Sequence, residues 1–471
     1  MWSVYVSCAC FLGAWFAGGS GPAAPAALAA EPAAQPVPGG PRDIGPRREL
    51  FVDRFLIDRL DNASLKLHEP QLAPPMTEPA DNLEYGTVIK DGDLFRLYTR
   101  DGRGAKFDGD AAEVTRYCES RDGIHWTKPK LGLHEIDGSR ESNVILHESP
   151  FCHNFSPLLD TRPGVSAEER FKALAGTMPS GLVAFVSGDG IHWRKLRPEP
   201  VIPSRAPFPF IHLFDSQNVA FWSEAESCYV CYFRVWDGLR RIARTVSPDF
   251  RTWSPPVLLA ANLPGEHLYT SQTHPYFRAP HLYIAFPTRF HQERGESTDI
   301  LFMTTRGHGS FDRTFREAFI RPGLDPARWG NRSNYAALNV LPTGPTEMSI
   351  YTTPFRRFTL RLDGFASVHA GADAGEIITH PLRFAGKELV INGSTSAGGS
   401  VRIELQTAAG QPIPGFTLAD SVPFVGDAIE QPLAWRREKA EPTRDVANLA
   451  DQPVRLRFEL VDADLYSIQF R

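Results

Sequence analysis

Residues 120–126 read SRDGIHW and residues 187–193 read SGDGIHW, so one seven-residue segment occurs twice with a single difference. A third copy, SPDFRTW, occupies residues 247–253, and a degenerate copy, TRGHGSF, occupies residues 305–311. The first residues of successive copies are 67, 60 and 58 positions apart. Asp-Gly between two strand-like runs is typical of a tight hairpin. The segments therefore predict a β-structured unit that repeats about every 60 residues.

A second pattern alternates with these turns. In each copy a polar start is followed by an apolar strand, a turn, and a second strand rich in aromatic or other apolar residues. The copies occupy residues 85–100, 154–176, 218–234, 274–289 and 335–354. Five units of four short strands, without a long helical period, predict a five-bladed β-propeller over residues 48–354.

The rhythm of the strands changes after residue 354. Segments such as SVRIELQT, PVRLRFELV and DLYSIQFR have an alternating or continuous apolar pattern, and the repeated turn is absent. This pattern predicts a separate, jelly-roll-like β-sandwich over residues 355–471. The expected fold class is all-β, a five-bladed propeller with a C-terminal sandwich.

The first 30 residues are predicted to be a secretory signal peptide. Residues 2–16 form an apolar run, no charge precedes Glu31, and the segment APAALAA at residues 24–30 offers a small-residue cleavage site. The alternative is a single membrane anchor, but the run is shorter than the ~20 residues of a spanning helix. We therefore expect bacterial-type export to a secreted or periplasmic location, with no membrane association after cleavage.

The remaining composition restricts the partners. Residues 31–47 are rich in Ala, Pro and Gly and are predicted to be a flexible linker. The net charge of −5 gives no basic footprint for nucleic acid. The cysteines beyond the signal are not spaced as two ligand pairs, so we expect buried free thiols and neither a metal nor a cofactor. These cysteines are Cys118, Cys152, Cys228 and Cys231.

A five-bladed propeller followed by a sandwich resembles glycoside hydrolase family 32, the invertase and levanase group. The propeller by itself is similar to the arabinanases and xylosidases of family 43. The resemblance covers residues 48–471 and rests on the blade rhythm and the Ser-x-Asp-Gly-x-x-Trp turns. It implies a carbohydrate substrate and three carboxylates around the propeller axis. Glycoside cleavage uses a protonated carboxyl on the leaving oxygen and an ionised carboxylate on the opposite face of the sugar.

The family motifs place two of these carboxylates. The first motif, Asn-Asp-Pro-Asn-Gly, corresponds to residues 82–86, NLEYG, which implies Glu84 as a catalytic residue with Asp81 as a close alternative. The second motif, Arg-Asp-Pro, corresponds to residues 214–218, FDSQN. It implies Asp215, although strict alignment puts Gln217 in its place.

The third motif, Glu-Cys-Pro, corresponds to Thr273-His274-Pro275, and the resemblance implies Glu266, several residues upstream, as the acid. Other polar residues stand where inner strands begin or second strands end, where they could bind sugar hydroxyls. These substrate-binding candidates are Asp81, Arg100, His153, Asn154, Asn218, Gln272, His274, Arg289 and Asn334. Of these, the two arginines could instead bind a sulfate or carboxylate on the sugar.

The repeated turns are expected to be structural. Asp122 and Asp189 fix the turns, and the Trp residues after them pack in the blade core. The leading function is a secreted glycoside hydrolase. The alternatives are a non-catalytic carbohydrate-binding protein and a sialidase- or sulfatase-like enzyme on an anionic glycan. Facing carboxylates at the axis would favour hydrolysis, whereas a channel of amides and aromatic residues would favour binding.

Overall fold

A computed structural model describes residues 40–76, 84–102, 104–204, 212–436 and 441–471. The predicted signal peptide lies outside the described residues, as does most of the predicted linker. The regular structure of the described residues is β-strand apart from four short 3-10 helices. These helices are Ala167–Glu169, Gln292–Arg294, Pro326–Trp329 and Ala447–Leu449. In the described part of the chain, no helix has the length and apolarity needed to cross a membrane.

The chain begins with five short strands that pair with partners far away in the sequence. Four of them join the C-terminal sheet, and the fifth pairs with the strand Arg356–Arg361 of the last propeller sheet. The five strands are β1 (Arg42–Gly45), β2 (Arg48–Leu50), β3 (Ile57–Asp61), β4 (Ser64–Leu67) and β5 (Gln71–Leu72).

The next three repeat units each form one antiparallel sheet. The first sheet contains β6 (Thr87–Asp91), β7 (Leu94–Asp101), β8 (Val114–Ser120), β9 (Trp126–Thr127) and β10 (Val144–Leu146). The second contains β11 (Ser156–Leu159), β12 (Phe171–Ala175), β13 (Val183–Ser187) and β14 (Arg194–Lys195). The third contains β15 (Val219–Ser223), β16 (Cys228–Trp236), β17 (Arg240–Ser247) and β18 (Val257–Leu258).

The fourth unit forms two three-stranded sheets, and the fifth forms one sheet that β5 completes at its edge. The fourth unit contains β19 (His267–Leu268), β20 (His274–Tyr276), β21 (Ala279–Ala285), β22 (Thr288–His291), β23 (Ser297–Ile300) and β24 (Met303–Thr305). The fifth contains β25 (Leu341–Pro342), β26 (Glu347–Thr352) and β27 (Arg356–Arg361). These sheets establish the all-β propeller class, and the count of five blades stays a prediction.

The C-terminal sheet is built around two very long strands that pair along most of their length. Its strands beyond the first four of the chain are β28 (Ala366–Ala370), β29 (Gly375–Thr379), β30 (Leu382–Phe384), β31 (Leu389–Thr407), β32 (Asp427–Pro432) and β33 (Val454–Phe470). Register shifts interrupt the pairing of β31 with β33, and such bulges allow a long strand to bend around a core. That core contains Trp435, Phe458 and Leu405, all fully buried.

The strands differ from the expected boundaries at both ends of the propeller. The strand β1 lies within the predicted linker and pairs with β30, and β2 to β4 lie in the sandwich sheet rather than in the first blade. The strand β27 lies beyond residue 354 but belongs to the last propeller sheet. Pairing partners hundreds of residues apart leave no local trace, because strand patterning reports which face is buried and not which strand lies alongside.

The repeated turns have the same hydrogen-bonded structure. In the first, the Asp122 carboxylate accepts bonds from the backbone N–H groups of Ile124 and His125, both at 2.8 Å, and Ser120 Oγ accepts from Gly123 N. Asp189 makes the equivalent bonds in the second turn. Burial by itself would raise the pKa of Asp122, but the bonds from His125 and the backbone outweigh it and lower that pKa. These bonds are what a structural role for Asp122 and Asp189 in the turns requires.

The glycine of each of the first two turns lies against a tyrosine of the neighbouring sheet. Gly123 has a φ of 74°, and its carbonyl accepts a 2.8 Å hydrogen bond from the Tyr351 hydroxyl. Gly190 accepts the equivalent bond from Tyr98. A Cβ at Gly123 would stand 2.6 Å from the Tyr351 oxygen, so a larger residue would separate the two sheets. The repeated motif therefore joins consecutive sheets of the propeller.

A buried carboxylate joins the N-terminal segment to the fourth propeller unit. Glu49 on β2 is fully buried, and its two oxygens contact His281 Nε2 at 2.9 Å and Arg306 Nη1 at 2.7 Å. Burial by itself would raise the pKa of Glu49, but Arg306 and His281 outweigh it and lower the pKa to about 2. The folded protein therefore binds this proton more weakly than the unfolded chain does.

We expect this pair to make folding sensitive to acid. The stabilisation is fully present above the ordinary carboxyl pKa of 4.5 and is lost as the pH falls toward about 2. The free energy of unfolding that is lost corresponds to roughly 3 kcal/mol. Denaturant melts between pH 7 and pH 3 should show this loss, and the Glu49→Gln variant should lose less stability over the same range. Equal pH dependence in the two proteins would contradict the assignment.

Candidate active site

Three bulky residues that lie two to five positions before inner strands adopt left-handed backbone conformations. Their φ angles are 54° at Tyr85, 63° at Phe214 and 48° at Gln272. Such conformations cost about 1–3 kcal/mol for residues other than glycine and tend to occur at functional sites. The strain marks the end of the propeller where the inner strands begin.

Side chains from all five units form a closed circuit of contacts at this end. Ring centroids are 6.0 Å apart for Tyr85 and Tyr335 and 5.4 Å apart for Tyr335 and Tyr269. The Arg234 guanidinium carbon lies 4.4 Å from the Tyr269 ring centre, and Arg234 forms an ion pair with Asp215. His153 completes the circuit. One of its ring nitrogens lies within 4.8 Å of a carboxylate oxygen of Asp215, and its ring centroid lies 6.1 Å from that of Tyr85.

Next to this circuit, amide side chains join the starts of the inner strands. Gln217 Nε2 donates to Thr87 Oγ1, and Gln272 Nε2 donates to Gln217 Oε1 and to the Ala336 carbonyl, each at 2.7 Å. Gln217, Gln272 and Thr87 are at most 1% exposed. A hydrogen-bonded amide layer therefore joins the inner strands at this level. One cavity of about 260 Å³ is lined by the inner strands themselves, and a second opens beside Asp215.

The cavity beside Asp215 has a volume of about 560 Å³ and is bordered by two carboxylates and an imidazole. Asp108, His153 and Asp215 line it, and their ligand atoms all lie within 4.8 Å of one another. His153 is buried, and its Nδ1 donates to Glu113 Oε1 at 2.9 Å. This bond fixes the ring, whose Nε2 lies 3.7 Å from Asp108 Oδ2.

The same three side chains form a possible metal-binding set. Two carboxylates and one imidazole are suitable donors for a divalent cation, and Glu113 orients the imidazole as an outer carboxylate does in metal sites. The sequence-based expectation of no metal stays a prediction.

Glu84 is placed differently from the role that the resemblance implied. Its side chain is 6% exposed, and its Oε2 lies 2.7 Å from Arg100 Nη2, while Oε1 lies 3.5 Å from Arg332 Nε. Burial by itself would lower the pKa of Arg100, but Glu84 and other neighbours outweigh it and raise that pKa. Glu84 thus takes part in a buried ion pair, and it does not line the cavity that Asp215 lines. Asp81, the alternative, lies outside the described residues.

Glu266 is bound into its own loop. Its carboxylate accepts two bonds from Arg313, at 2.8 and 3.1 Å, and a third from Leu263 N at 3.0 Å. Both oxygens are therefore committed to protein donors. This arrangement favours a structural role over the proton donor implied by the resemblance.

The substrate-binding candidates fall into two groups. Arg100 and His153 contact each other at the cavity, with Arg100 Nη1 3.0 Å from His153 Nδ1. The others bond mainly to the protein itself: Asn154, Asn218, Gln272 and Asn334 donate to backbone carbonyls, His274 accepts from Val340 N, and Arg289 pairs with Asp299. Buried side-chain amides at strand starts form hydrogen bonds with backbone groups that would otherwise lack a partner, which explains this division.

Sequence reasoning did not select Asp108, Glu113, Arg234, Arg240 or Tyr269. For Arg234 a signal was present, because RLYTR ends at Arg100 and VCYFR ends at Arg234, and both arginines lie near the end of the second strand of a unit. Asp108 and Glu113 lie in the connection between β7 and β8, where the repeat pattern is interrupted. Such loop residues gain their positions from tertiary contacts alone.

No family model and no curated protein matches this chain. Among solved structures it is similar to a thermostable family-43 glycoside hydrolase, with 11% identity and a TM-score of 0.42 over 63% of this chain and 95% of that one. A fructofuranosidase from Schwanniomyces occidentalis has 11% identity and a TM-score of 0.38 over 88% and 96%. A β-1,2-mannobiose phosphorylase from Listeria innocua has 11% identity and a TM-score of 0.39, and the match covers 64% of this chain and 99% of that one. The solved structures to which this chain is similar thus include a glycoside hydrolase of family 43 and a fructofuranosidase.

Proposed function

We propose that this chain is a glycoside hydrolase whose reaction takes place in the cavity beside the propeller axis. The observation that carries the proposal is the approach of Asp108 and Asp215 to within 4.8 Å of each other, by nearest ligand atoms, on the wall of one open cavity. Two facing carboxyl groups are the chemical requirement for cleaving a glycosidic bond with an oxocarbenium-like transition state.

The two carboxyl groups differ in their surroundings, which suggests their roles. Asp215 pairs with the buried Arg234, and a neighbouring cation favours the charged form, so Asp215 suits the ionised carboxylate that faces the sugar. Among described residues, Asp108 has only the His153 imidazole as a charged partner, and its side chain is 53% exposed. Asp108 therefore suits the proton donor, with His153 and Glu113 as positioning residues.

The experiment is a screen of the mature protein against plant and algal polysaccharides, with analysis of the released sugars. Retaining glycosidases hold their carboxyl groups roughly 5–5.5 Å apart and inverting ones roughly 6.5–9.5 Å apart. The close approach of Asp108 and Asp215 favours retention, so the first product detected by NMR should keep the anomeric configuration of the substrate. Inversion would exclude this pair as acid and nucleophile.

A second candidate function is carbohydrate binding without cleavage. The amide layer of Gln217 and Gln272 at the axis, together with the neutralised Glu84, favours it. It predicts retention of glycans on the protein with no released product in the same screen. A sialidase-like mechanism has less support, because burial, followed by Tyr269 and Glu84, raises the pKa of Tyr85 and opposes a tyrosine nucleophile.

A further inference from the structure

Arg240 is a guanidinium held among aromatic rings beside the circuit. Its guanidinium carbon lies 4.5 Å from the Phe290 ring centre, 5.1 Å from that of Tyr269 and 5.5 Å from that of Trp236. Its backbone N–H donates to His267 Nδ1, and its carbonyl accepts from Asn262. The side chain is thus positioned by packing and backbone bonds rather than by a carboxylate.

Among the described residues, no acidic side chain forms an ion pair with Arg240, and two of its nitrogens, Nε and Nη1, are buried without a hydrogen-bond acceptor. Burial, followed by Arg234, lowers the pKa of Arg240, and these effects outweigh the smaller opposing effects of Tyr269, Tyr335 and Glu296. A partly buried charge without a partner is costly unless a ligand supplies the partner.

Arg234, like Arg240, packs on the Tyr269 ring, and its ion-pair partner Asp215 lines the cavity. Arg234 is 6% exposed and pairs with Asp215, yet its Nη1 is buried without an acceptor. Tyr335 on the other side of Tyr269 also has a buried hydroxyl without a hydrogen-bond partner. Arg234, Arg240 and Tyr335 thus all lie around the Tyr269 ring, and each has at least one donor that no described residue uses.

We infer that Arg240 and Arg234, beside the Tyr269 ring, bind a negatively charged substituent, carboxylate or sulfate, on the sugar next to the scissile bond. The inference rests on the proposed function for the position of the sugar. Guanidinium groups match planar or tetrahedral oxyanions, and bonds between charged partners are the strong ones. The two arginines predicted from sequence for this role, Arg100 and Arg289, pair with Glu84 and Asp299. Arg234 also pairs with Asp215, so Arg240, which has no ion pair with a described residue, would supply the main charge for the substituent, and Arg234 would add its unused Nη1 donor.

The test measures binding by calorimetry with the full chain carrying Asp108→Asn, which removes the proposed proton donor so that no ligand is consumed and leaves the Asp215–Arg234 ion pair in place. The probes are trigalacturonic acid, a sulfated galactose trisaccharide and neutral galactotriose. We expect one anionic probe to bind roughly ten- to a hundredfold more tightly than the neutral one. Tighter binding of trigalacturonic acid would identify the substituent as a carboxylate, and tighter binding of the sulfated trisaccharide would identify it as a sulfate. The affinity for the anionic probe should fall as NaCl is raised, and the neutral affinity should not.

The decisive variant is Arg240→Met, which keeps a long side chain against the rings and removes the charge. It should bring the anionic probe to the affinity of the neutral one, while Arg294→Met, an exposed arginine with a 73% exposed side chain near the same rim, should change neither. Equal affinities for all probes in the parent protein would overturn the anionic subsite and leave hydrolysis standing. Arg240-dependent anion binding without cleavage of any polysaccharide would instead overturn the hydrolase and keep the subsite.

Discussion

Substituting Asp215 by Asn is expected to reduce turnover by about 10²- to 10⁴-fold on a substrate found in the polysaccharide screen. The amide keeps the shape of the side chain and can still accept a bond from Arg234. It removes the negative charge that opposes the positive charge developing on the sugar ring. Affinity for a neutral sugar should change little, so the loss should be in kcat rather than in KM.

The control for this variant is Asp237→Asn. Asp237 is a half-exposed aspartate on the connection between β16 and β17, 2.9 Å from Arg241, and its 52% side-chain exposure is close to the 45% of Asp215. Loss of its charge should leave kcat and the melting temperature nearly unchanged. If Asp215→Asn retains activity within a few-fold of the parent protein, the ionised carboxylate lies elsewhere and the proposed roles fail.

The fold was accessible from sequence because its signals are local. The Ser-x-Asp-Gly turn at Ser120 encodes its own hydrogen bonds within seven residues, and alternating apolar patterns mark each strand. The same reasoning failed for β1 to β4, whose partners lie more than 290 residues away in the C-terminal sheet. A strand pattern predicts a buried face but carries no information on the neighbour that covers it.

The site was accessible only in part, for a related reason. Asp215 and His153 were found because inner strands begin beside them, and strand starts can be read from the repeat. Asp108 and Arg240 were not found, because a loop and a hairpin bring them to the rim through contacts between units. Glu84 was selected by its place in a motif, but the sequence could not reveal that Arg100 neutralises it.

The second large effect is expected on stability, because Glu84 lies in a buried ion pair with Arg100. Substituting Glu84 by Gln is expected to lower the free energy of unfolding by about 3 kcal/mol, because it removes the nearer carboxylate from buried Arg100 and leaves only Glu113, 3.9 Å away. Denaturant unfolding measures this loss. The matched control is Glu69→Gln: Glu69 lies 3.1 Å from Arg321, but both side chains are more than half exposed, so its loss should cost about 0–1 kcal/mol.

A second substitution separates the structural role of Glu84 from a catalytic one. In the double variant Glu84→Gln, Arg100→Met, the buried charge that Glu113 balances only in part is gone, so part of the lost stability should return. The double-mutant cycle gives the coupling between the two side chains. Full stability of the Glu84→Gln protein together with abolished turnover would restore the catalytic role that the family motif implied. A large loss of stability that Arg100→Met partly reverses would identify Glu84 as the counter-ion that holds Arg100 against His153 at the edge of the cavity.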